Sequence, residues 1–201
     1  MKIKSAVFTV SAPDLATCPP VFRPEFAFIG RSNVGKSSLI NLLTEQRQLA
    51  MVSNTPGKTK LINFFLINGA WSLVDLPGYG HAHAAKSTRE DFQRAIMDYL
   101  TQRPTLAGVF VLIDSRHSPQ TIDLEFVEWL AANSPAPFAL VFTKTDKQSA
   151  AATQNNQAQF MRHLPRRSGE PPKQFSTSAK TKHGRTELLD FIAQTLASRR
   201  A

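Results

Sequence analysis

Short apolar runs alternate along the chain with segments in which apolar residues recur every three or four positions. The runs predict strands, and they fall at residues 26–29, 61–67, 70–74, 109–113, 138–142 and 173–176. The periodic segments predict helices, and they fall at residues 38–43, 87–102, 121–133, 160–164 and 188–196. Strands that alternate with helices predict a three-layer α/β fold around a mostly parallel sheet of six or seven strands.

Two local patterns refine this sheet. Asn68-Gly69 separates the runs 61–67 and 70–74, and Asn-Gly between apolar runs predicts a hairpin, so we expect one antiparallel strand. Residues 6–10 alternate weakly and predict an edge strand, and four prolines keep the following segment extended. We therefore expect residues 1–24 to form an N-terminal edge strand and extended segment, and residues 25–201 to form the main domain.

A glycine-rich segment lies between the strand at 26–29 and the helix that follows it. Residues 30–37 fit G-x-x-x-x-G-K-[ST], the P-loop, whose backbone N–H groups and helix dipole bind phosphates. We expect Lys36 to reach the β- and γ-phosphates and Ser37 to ligate Mg²⁺. The residues expected to contact the phosphates here are Gly30, Arg31, Ser32, Asn33, Val34, Gly35, Lys36, Ser37 and Ser38.

The identity of the nucleotide base is predicted by Thr143-Lys144-Thr145-Asp146, which directly follows the apolar run 138–142. Ligands of open α/β sheets bind at the carboxyl ends of the strands. Asp146 offers two acceptor oxygens to the N1–H and amine of guanine, whereas adenine would leave the carboxylate unpaired at a cost. Lys144 can lay its methylene stem over the base. These four residues therefore predict a guanine nucleotide.

Two segments between these motifs are candidates for sensing the γ-phosphate. Asp75-Leu76-Pro77-Gly78 fits D-x-x-G, so Asp75 would hold Mg²⁺ through water and the Gly78 N–H would touch the γ-phosphate. Residues 54–59 are polar, contain Pro-Gly and predict a mobile loop. Thr59 is the candidate that binds Mg²⁺ only when the γ-phosphate is present, and Thr55 is its nearest alternative.

These segments complete the set of expected site residues. The further nucleotide contacts are Gly57, Lys58, Thr59, Lys60, Leu61, Asp75, Leu76, Pro77 and Gly78. The catalytic residues are Lys36, Thr59 and Gly78, and the metal ligands are Ser37 and Thr59. Guanine O6 would accept a backbone N–H from the loop around Ser178-Ala179-Lys180, and because that loop is long we expect the donor to be one of Ser176, Thr177, Ser178 and Ala179.

The P-loop, the loop at residues 54–59, the D-x-x-G segment, the base-binding segment at residues 143–146 and the loop around Ser178-Ala179-Lys180 follow one another in this order. In this order of motifs the chain resembles translation-factor-type GTPases. More narrowly, it resembles the bacterial EngB (YsxC/YihA) family of the TrmE-Era-EngA-EngB-septin-like GTPases, through residues 30–41, 55–59, 75–80 and 114–117. The resemblance extends from about residue 6 to the last residue. It implies a P-loop NTPase G domain that binds GTP and GDP with Mg²⁺, is required for normal septation and is implicated in large ribosomal subunit assembly.

The net charge of the chain bears on the kind of molecule that it binds. The chain has 201 residues, which is typical of one domain, and its net charge is +9 with a pI near 10.1. Basic residues crowd the last part of the chain, namely Arg162, Arg166, Arg167, Lys173, Lys180, Lys182, Arg185, Arg199 and Arg200. Such charge fits either a solvated surface or a nucleic-acid binder. The resemblance favours ribosomal RNA, read by phosphate and shape, over sequence-specific DNA binding.

The cysteine content and the apolar runs of the sequence bear on the cellular location of the protein. The single cysteine, Cys18, cannot form an internal disulfide, which fits a reducing cytosol. The first residues carry no uninterrupted apolar stretch of a signal peptide, and no apolar run is long enough to cross a bilayer. We therefore expect a cytoplasmic monomer without membrane insertion.

The residue after D-x-x-G bears on the rate of hydrolysis. Many G domains have a glutamine there that orients the attacking water, whereas this chain has Tyr79. A phenol cannot offer both a donor and a carbonyl acceptor, so we expect slow intrinsic hydrolysis that needs help. The help would come from a partner such as the ribosome, or from K⁺ at Asn33, which matches the K⁺-ligating position of related cation-stimulated GTPases.

Two further expectations complete the sequence-based picture. Asp114 and Arg116 follow the strand at 109–113, and we expect them to fix the loop there rather than to take part in catalysis. The alternative function is a nucleotide-regulated septation scaffold that acts through protein partners.

Overall fold

The computed structural model describes residues 1–50, 61–79, 86–164 and 171–199, and in these ranges it contains seven strands and five α-helices. The strands are β1 (Ala6–Ala12), β2 (Glu25–Gly30), β3 (Ile62–Ile67), β4 (Trp71–Asp75), β5 (Leu106–Asp114), β6 (Phe138–Thr143) and β7 (Lys173–Ser176). The helices are α1 (Lys36–Thr44), α2 (Lys86–Gln102), α3 (Thr121–Asn133), α4 (Ala150–His163) and α5 (Arg185–Ser198). The predicted alternation of strands and helices is confirmed.

All seven strands form one sheet, in the order β1-β3-β4-β2-β5-β6-β7. Strand β3 runs antiparallel to both of its neighbours, and the other adjacent strands pair in parallel. The turn between β3 and β4 places Asn68 at φ 51° and Gly69 at φ 64°, the positive values that a tight hairpin needs. The sheet therefore has the single antiparallel strand that Asn68-Gly69 predicted, and β1 lies at its edge.

The two faces of the sheet are covered by different helices. Phe26 and Phe28 of β2 point to the face packed by α1 and α5, whereas Ala27 and Ile29 point to the face packed by α2, α3 and α4. Because both faces are covered, all nine residues of β5 are buried, as is typical of central parallel strands. The three-layer prediction is confirmed.

A buried ionic cluster lies where the parallel strands begin. Glu25, the first residue of β2, accepts hydrogen bonds from Arg103 Nη2 at 2.7 Å and from the Tyr99 hydroxyl at 2.6 Å. Arg103 Nη2 also donates to the carbonyl of Pro19 at 2.6 Å. The cluster therefore joins α2 and the proline-containing segment to the start of the sheet. The division of the chain at residues 24 and 25 stays a prediction.

The predicted nucleotide-binding residues lie at the other end of the parallel strands, at the edge of the sheet where β2, β4, β5 and β6 end. The P-loop follows β2, D-x-x-G begins at the last residue of β4, and Thr143 ends β6. Within the described ranges, no helix is both long and apolar enough to span a lipid bilayer.

Candidate functional site

The P-loop connects β2 directly to α1. Gly35 caps the helix in the left-handed conformation, at φ 105°, which glycine adopts at little cost. Among the described residues no side chain caps α1, and its first turn contains no acidic residue. Within the described part of the chain, neither the cap residue nor an acidic residue of the first turn satisfies the N–H groups at this helix start, an arrangement that fits a bound phosphate.

Strand β6 holds the P-loop in place from the side. The Thr143 hydroxyl donates to the carbonyl of Val34 at 2.6 Å, and Lys144 Nζ donates to the carbonyl of Asn33 at 2.5 Å. Lys144 lies at the N-cap of a short 3₁₀ turn, Thr145–Lys147, with φ 60°. The residues predicted to read the base thus contact the residues predicted to bind the phosphates, although they are more than 100 positions apart in the chain.

The P-loop lysine contacts the first residue of D-x-x-G. Lys36 Nζ forms an ion pair with Asp75 Oδ1, and the two side chains are only 10% and 4% exposed. The sequence assigned Lys36 to the phosphates and Asp75 to a magnesium-bound water, and the structure brings the two groups together. An ammonium that is already desolvated and a carboxylate beside it are suited to exchange partners when an anion enters.

The glycine of D-x-x-G rests on the P-loop backbone. A Cβ atom at Gly78 would stand 2.7 Å from the carbonyl oxygen of Gly30 and 3.4 Å from the backbone nitrogen of Ser32. Any side chain larger than hydrogen would push the two loops apart, so this contact requires glycine. The structure therefore places Gly78 next to the loop that is predicted to bind phosphate.

Asp146 has one oxygen paired and one unpaired. Its Oδ1 accepts a hydrogen bond from the Ser178 hydroxyl at 2.7 Å, and this bond lowers the pKa of the carboxyl. Its Oδ2 is covered, yet it has no hydrogen-bond donor among the described residues. An ionised carboxylate oxygen that has no donor from the protein is a free hydrogen-bond acceptor. It fits a ligand that brings N–H groups, as guanine does.

The loop after β7 narrows the choice for the guanine O6 contact. The Thr177 N–H donates to the carbonyl of Phe142 at 2.7 Å, and the Ser178 N–H donates to the carbonyl of His183 at 3.2 Å. Two of the four predicted donors are thus already used within the protein. Ser176 and Ala179 remain as candidates.

Asp114, at the end of β5, has the loop-fixing role expected for it. Arg116 donates to both carboxylate oxygens, from Nε at 2.9 Å and from Nη2 at 2.8 Å, and Lys144 Nζ donates at 2.9 Å. Burial alone would raise the pKa of Asp114, but these hydrogen bonds outweigh it and hold the pKa well below its usual range. The carboxylate therefore stays charged and fixes the lysine that also contacts the P-loop.

This lowered pKa predicts a pH-dependent effect of the substitution Asp114→Asn. The stabilisation is present above the pKa of the unfolded chain, about 3.9, and is lost as pH falls towards the lower folded pKa. We expect the variant to be roughly 1–2 kcal/mol less stable at pH 7, after discounting for the half-exposed Arg116, and the difference to shrink below about pH 4. Urea unfolding at several pH values measures it. A difference that did not change with pH would contradict the argument, and Asp190→Asn on the exposed face of α5 is the control.

One group at this edge was not predicted from the sequence. Asp123, in the first turn of α3, accepts hydrogen bonds from Arg31 Nε at 2.9 and 3.0 Å and from the Tyr79 hydroxyl at 2.8 Å. Burial raises the pKa of Asp123, and Arg31 and Tyr79 partly offset the rise. An acidic residue in a first helical turn is too common to signal such a role, so the sequence alone gave no indication of it.

Some predicted site residues lie outside the described ranges. These are Thr55, Gly57, Lys58, Thr59 and Lys60. Leu61 is described, and it directly precedes β3. Across residues 1–50, 61–79, 86–164 and 171–199, no three His, Cys, Asp or Glu side chains form a metal cluster.

The residues present nevertheless fit a magnesium ion held largely by phosphate. Asp75 supplies a carboxylate oxygen at the end of β4, and Ser37, in the first turn of α1, supplies a hydroxyl oxygen. Mg²⁺ takes oxygen ligands, keeps several waters and commonly uses one or two protein groups together with substrate phosphates. The donor set is therefore of the right kind.

The fold and the site together define a P-loop protein that binds guanine nucleotides and hydrolyses GTP. A family model described as "50S ribosome-binding GTPase" matches residues 25–144. A relative from Porphyromonas gingivalis, "Probable GTP-binding protein EngB", is 52% identical over 192 residues, which cover 96% of this chain and 95% of the relative. A relative of the same name from Bacteroides thetaiotaomicron is 50% identical over the same shares.

The chain therefore belongs to the EngB family of GTP-binding proteins. A solved structure titled as a probable GTP-binding protein engB has the same fold, with a TM-score of 0.66 at 23% identity, over 87% of this chain and 99% of that one. The resemblance stated from the motifs is confirmed.

Proposed function

We propose that the chain is a GTP-dependent switch in assembly of the large ribosomal subunit, with slow intrinsic hydrolysis, and that it is necessary for normal septation. The observation that carries the proposal is the match of residues 25–144 to a family model described as a 50S ribosome-binding GTPase. The net charge of +9 supports a partner rich in phosphate. The protein would act in the cytoplasm as a monomer.

The described basic residues near the end of the chain differ in whether they have partners within the protein, whereas Arg166, Arg167 and Arg200 lie outside the described ranges. Arg162, Lys173, Lys180 and Lys182 are exposed, so they are available to ribosomal RNA. Arg185 is used within the protein, because it donates to the carbonyls of Leu42 and Leu43 at 2.9 and 3.0 Å. Binding through the exposed group would depend strongly on salt, since each phosphate contact releases counterions.

The catalytic proposal starts from the Lys36–Asp75 ion pair. On nucleotide binding, Lys36 would leave Asp75 and donate to β- and γ-phosphate oxygens, where its charge stabilises the negative charge that develops during phosphoryl transfer. Gly78, already against the P-loop, would offer its N–H to the γ-phosphate. Ser37 and Thr59 would hold Mg²⁺, with Asp75 binding it through water. When bound, this ion supplies further charge neutralisation on the phosphates.

Slow hydrolysis is proposed because no glutamine follows D-x-x-G. The Tyr79 hydroxyl is used by Asp123, and burial raises the pKa of the phenol well above its usual value, so it stays a protonated donor to that carboxylate. It is therefore not free to orient an attacking water. The ribosome, or K⁺ at Asn33, would supply the missing help. K⁺ stays a prediction that equal hydrolysis rates in K⁺ and Na⁺ would contradict.

Co-sedimentation with ribosomal subunits tests the proposal. We expect the chain to sediment with the large subunit when loaded with a non-hydrolysable GTP analogue, to do so much less with GDP, and to remain bound at moderate salt. The charge-reversed variant Arg162→Glu, at an exposed position, should weaken the interaction most at low salt and should reduce its dependence on salt. Binding that ignores the nucleotide and disappears with salt would contradict the switch and favour the alternative of a septation scaffold with protein partners.

A further inference from the structure

A single buried carboxylate joins three parts of the site. Asp123 is 1% exposed and accepts hydrogen bonds from Arg31 in the P-loop and from Tyr79 directly after D-x-x-G. It belongs to α3, an element that carries none of the nucleotide-binding motifs. Because both donors belong to loops predicted to face the phosphates, the position of each loop depends on this one side chain.

Tyr79 is held by α3 at both ends of its side chain. Its hydroxyl is bound by Asp123, and its ring stacks on Phe126, with ring centroids 4.2 Å apart and planes inclined by 16°. Asp123 and Phe126 are three residues apart on the helix, so they lie on the same face. A side chain fixed at its hydroxyl and at its ring has little freedom to move, and neither has the backbone that carries it.

That backbone continues directly into Gly78. A Cβ at Gly78 would stand 2.7 Å from the Gly30 carbonyl, so the glycine is already in close contact with the P-loop. Any change in the position of Tyr79 therefore changes the distance between Gly78 and the phosphate-binding backbone.

We propose that Tyr79 and Asp123 are positioning residues that hold Gly78 where its N–H meets the γ-phosphate, and that they thereby set the affinity for GTP relative to GDP. The proposal rests on the proposed role of Gly78. A group that is fixed before binding does not have to be ordered by the ligand, which favours the ligand that uses it. GDP has no γ-phosphate, so its affinity does not depend on the position of Gly78.

The substitution Tyr79→Phe tests this, because it removes the hydroxyl and keeps the ring on Phe126. We expect the affinity for a non-hydrolysable GTP analogue to fall about 5- to 10-fold, the factor that one typical net intramolecular hydrogen bond contributes, while the affinity for GDP stays within about twofold. Titration of a fluorescent GDP and a fluorescent GTP analogue gives both constants. Equal losses for the two nucleotides, or no loss for either, would overturn the proposal.

The matched control is Tyr99→Phe in α2. It removes an equally buried hydroxyl that donates to a carboxylate, Glu25, at 2.6 Å, but at the opposite edge of the sheet. A purely structural role of Tyr79 would make both variants lower the unfolding temperature without changing the affinity ratio. We expect only Tyr79→Phe to change the ratio. Asp123→Asn, which breaks the ion pair with Arg31, should shift it in the same direction and carries the test if Tyr79→Phe does not fold.

This test is separate from that of the proposed function. GDP binding by the unaltered chain establishes that the nucleotide site works, whatever the variants do. Failure to sediment with ribosomal subunits would remove the assembly role and leave the affinity ratio measurable. An unchanged ratio in Tyr79→Phe and Asp123→Asn would remove only the positioning role if the unaltered chain still binds GDP and still binds ribosomal subunits in a GTP-dependent way.

Discussion

Asp146→Asn is expected to lower the affinity for GTP and GDP about 100-fold or more. The unpaired Oδ2 of Asp146 is the acceptor that the site holds ready for a guanine N–H. An asparagine would turn a donor towards the guanine amine, so one charge-assisted hydrogen bond is lost and two donors meet. Loss of about 3 kcal/mol is typical when one partner of a desolvated charged hydrogen bond is removed, and each 1.4 kcal/mol is tenfold in affinity.

The same substitution should create a new preference. Xanthine has a carbonyl where guanine has its amine, so the asparagine donor finds an acceptor there, and we expect XDP to bind the variant more tightly than GDP does. The Ser178 hydroxyl can still donate to the remaining amide oxygen, as it does to Asp146 Oδ1 at 2.7 Å. Calorimetric titration with GDP, ADP and XDP measures the change. Unchanged GDP affinity would refute the assignment of the base, and Asp190→Asn controls for loss of a surface carboxylate.

The parts of the site that sequence could predict are local. The P-loop is a run of eight consecutive residues in which Gly35 takes a conformation that only glycine adopts readily. One short segment of sequence therefore determines both the chemical groups and the backbone conformation of the loop. The hairpin at Asn68-Gly69 is local for the same reason. Strand ends could also be predicted, since apolar runs stop there, and this placed Asp75, Asp114 and Thr143 at one edge of the sheet.

The parts that sequence could not predict are contacts between distant segments. Arg31 and Asp123 are 92 positions apart, and Tyr79 and Asp123 are 44 apart, so no spacing rule connects them. The ion pair between Lys36 and Asp75 is of the same kind, because each residue had a predicted ligand of its own and nothing in the pattern indicated that they meet. The donor to guanine O6 depends on which backbone N–H groups the folded loop already uses, which again only the structure gives.

Lys36→Ala is expected to lower the affinity for GTP and GDP together, by about 100-fold or more. Both nucleotides carry the β-phosphate, and the lysine that would bind it is only 10% exposed, so its charge acts with little screening by water. Truncating one partner of such a desolvated charge pair costs roughly 2–5 kcal/mol. This common loss differs from that of Tyr79→Phe, which should affect the triphosphate alone.

Because Lys36 is paired with Asp75, the stability of the Lys36 variants has to be measured together with their affinity for nucleotides. The carboxylate of Asp75 is only 4% exposed and would lose this ion pair in the Lys36→Ala variant, so the nucleotide-free variant should also unfold at a lower temperature. Lys36→Met removes the charge and keeps most of the side-chain volume, and Lys173→Ala removes a lysine from the exposed start of β7. We expect Lys36→Met to bind as poorly as Lys36→Ala and Lys173→Ala to bind normally. Folded Lys36→Met that kept its affinity for GDP would show that the lysine serves Asp75 alone.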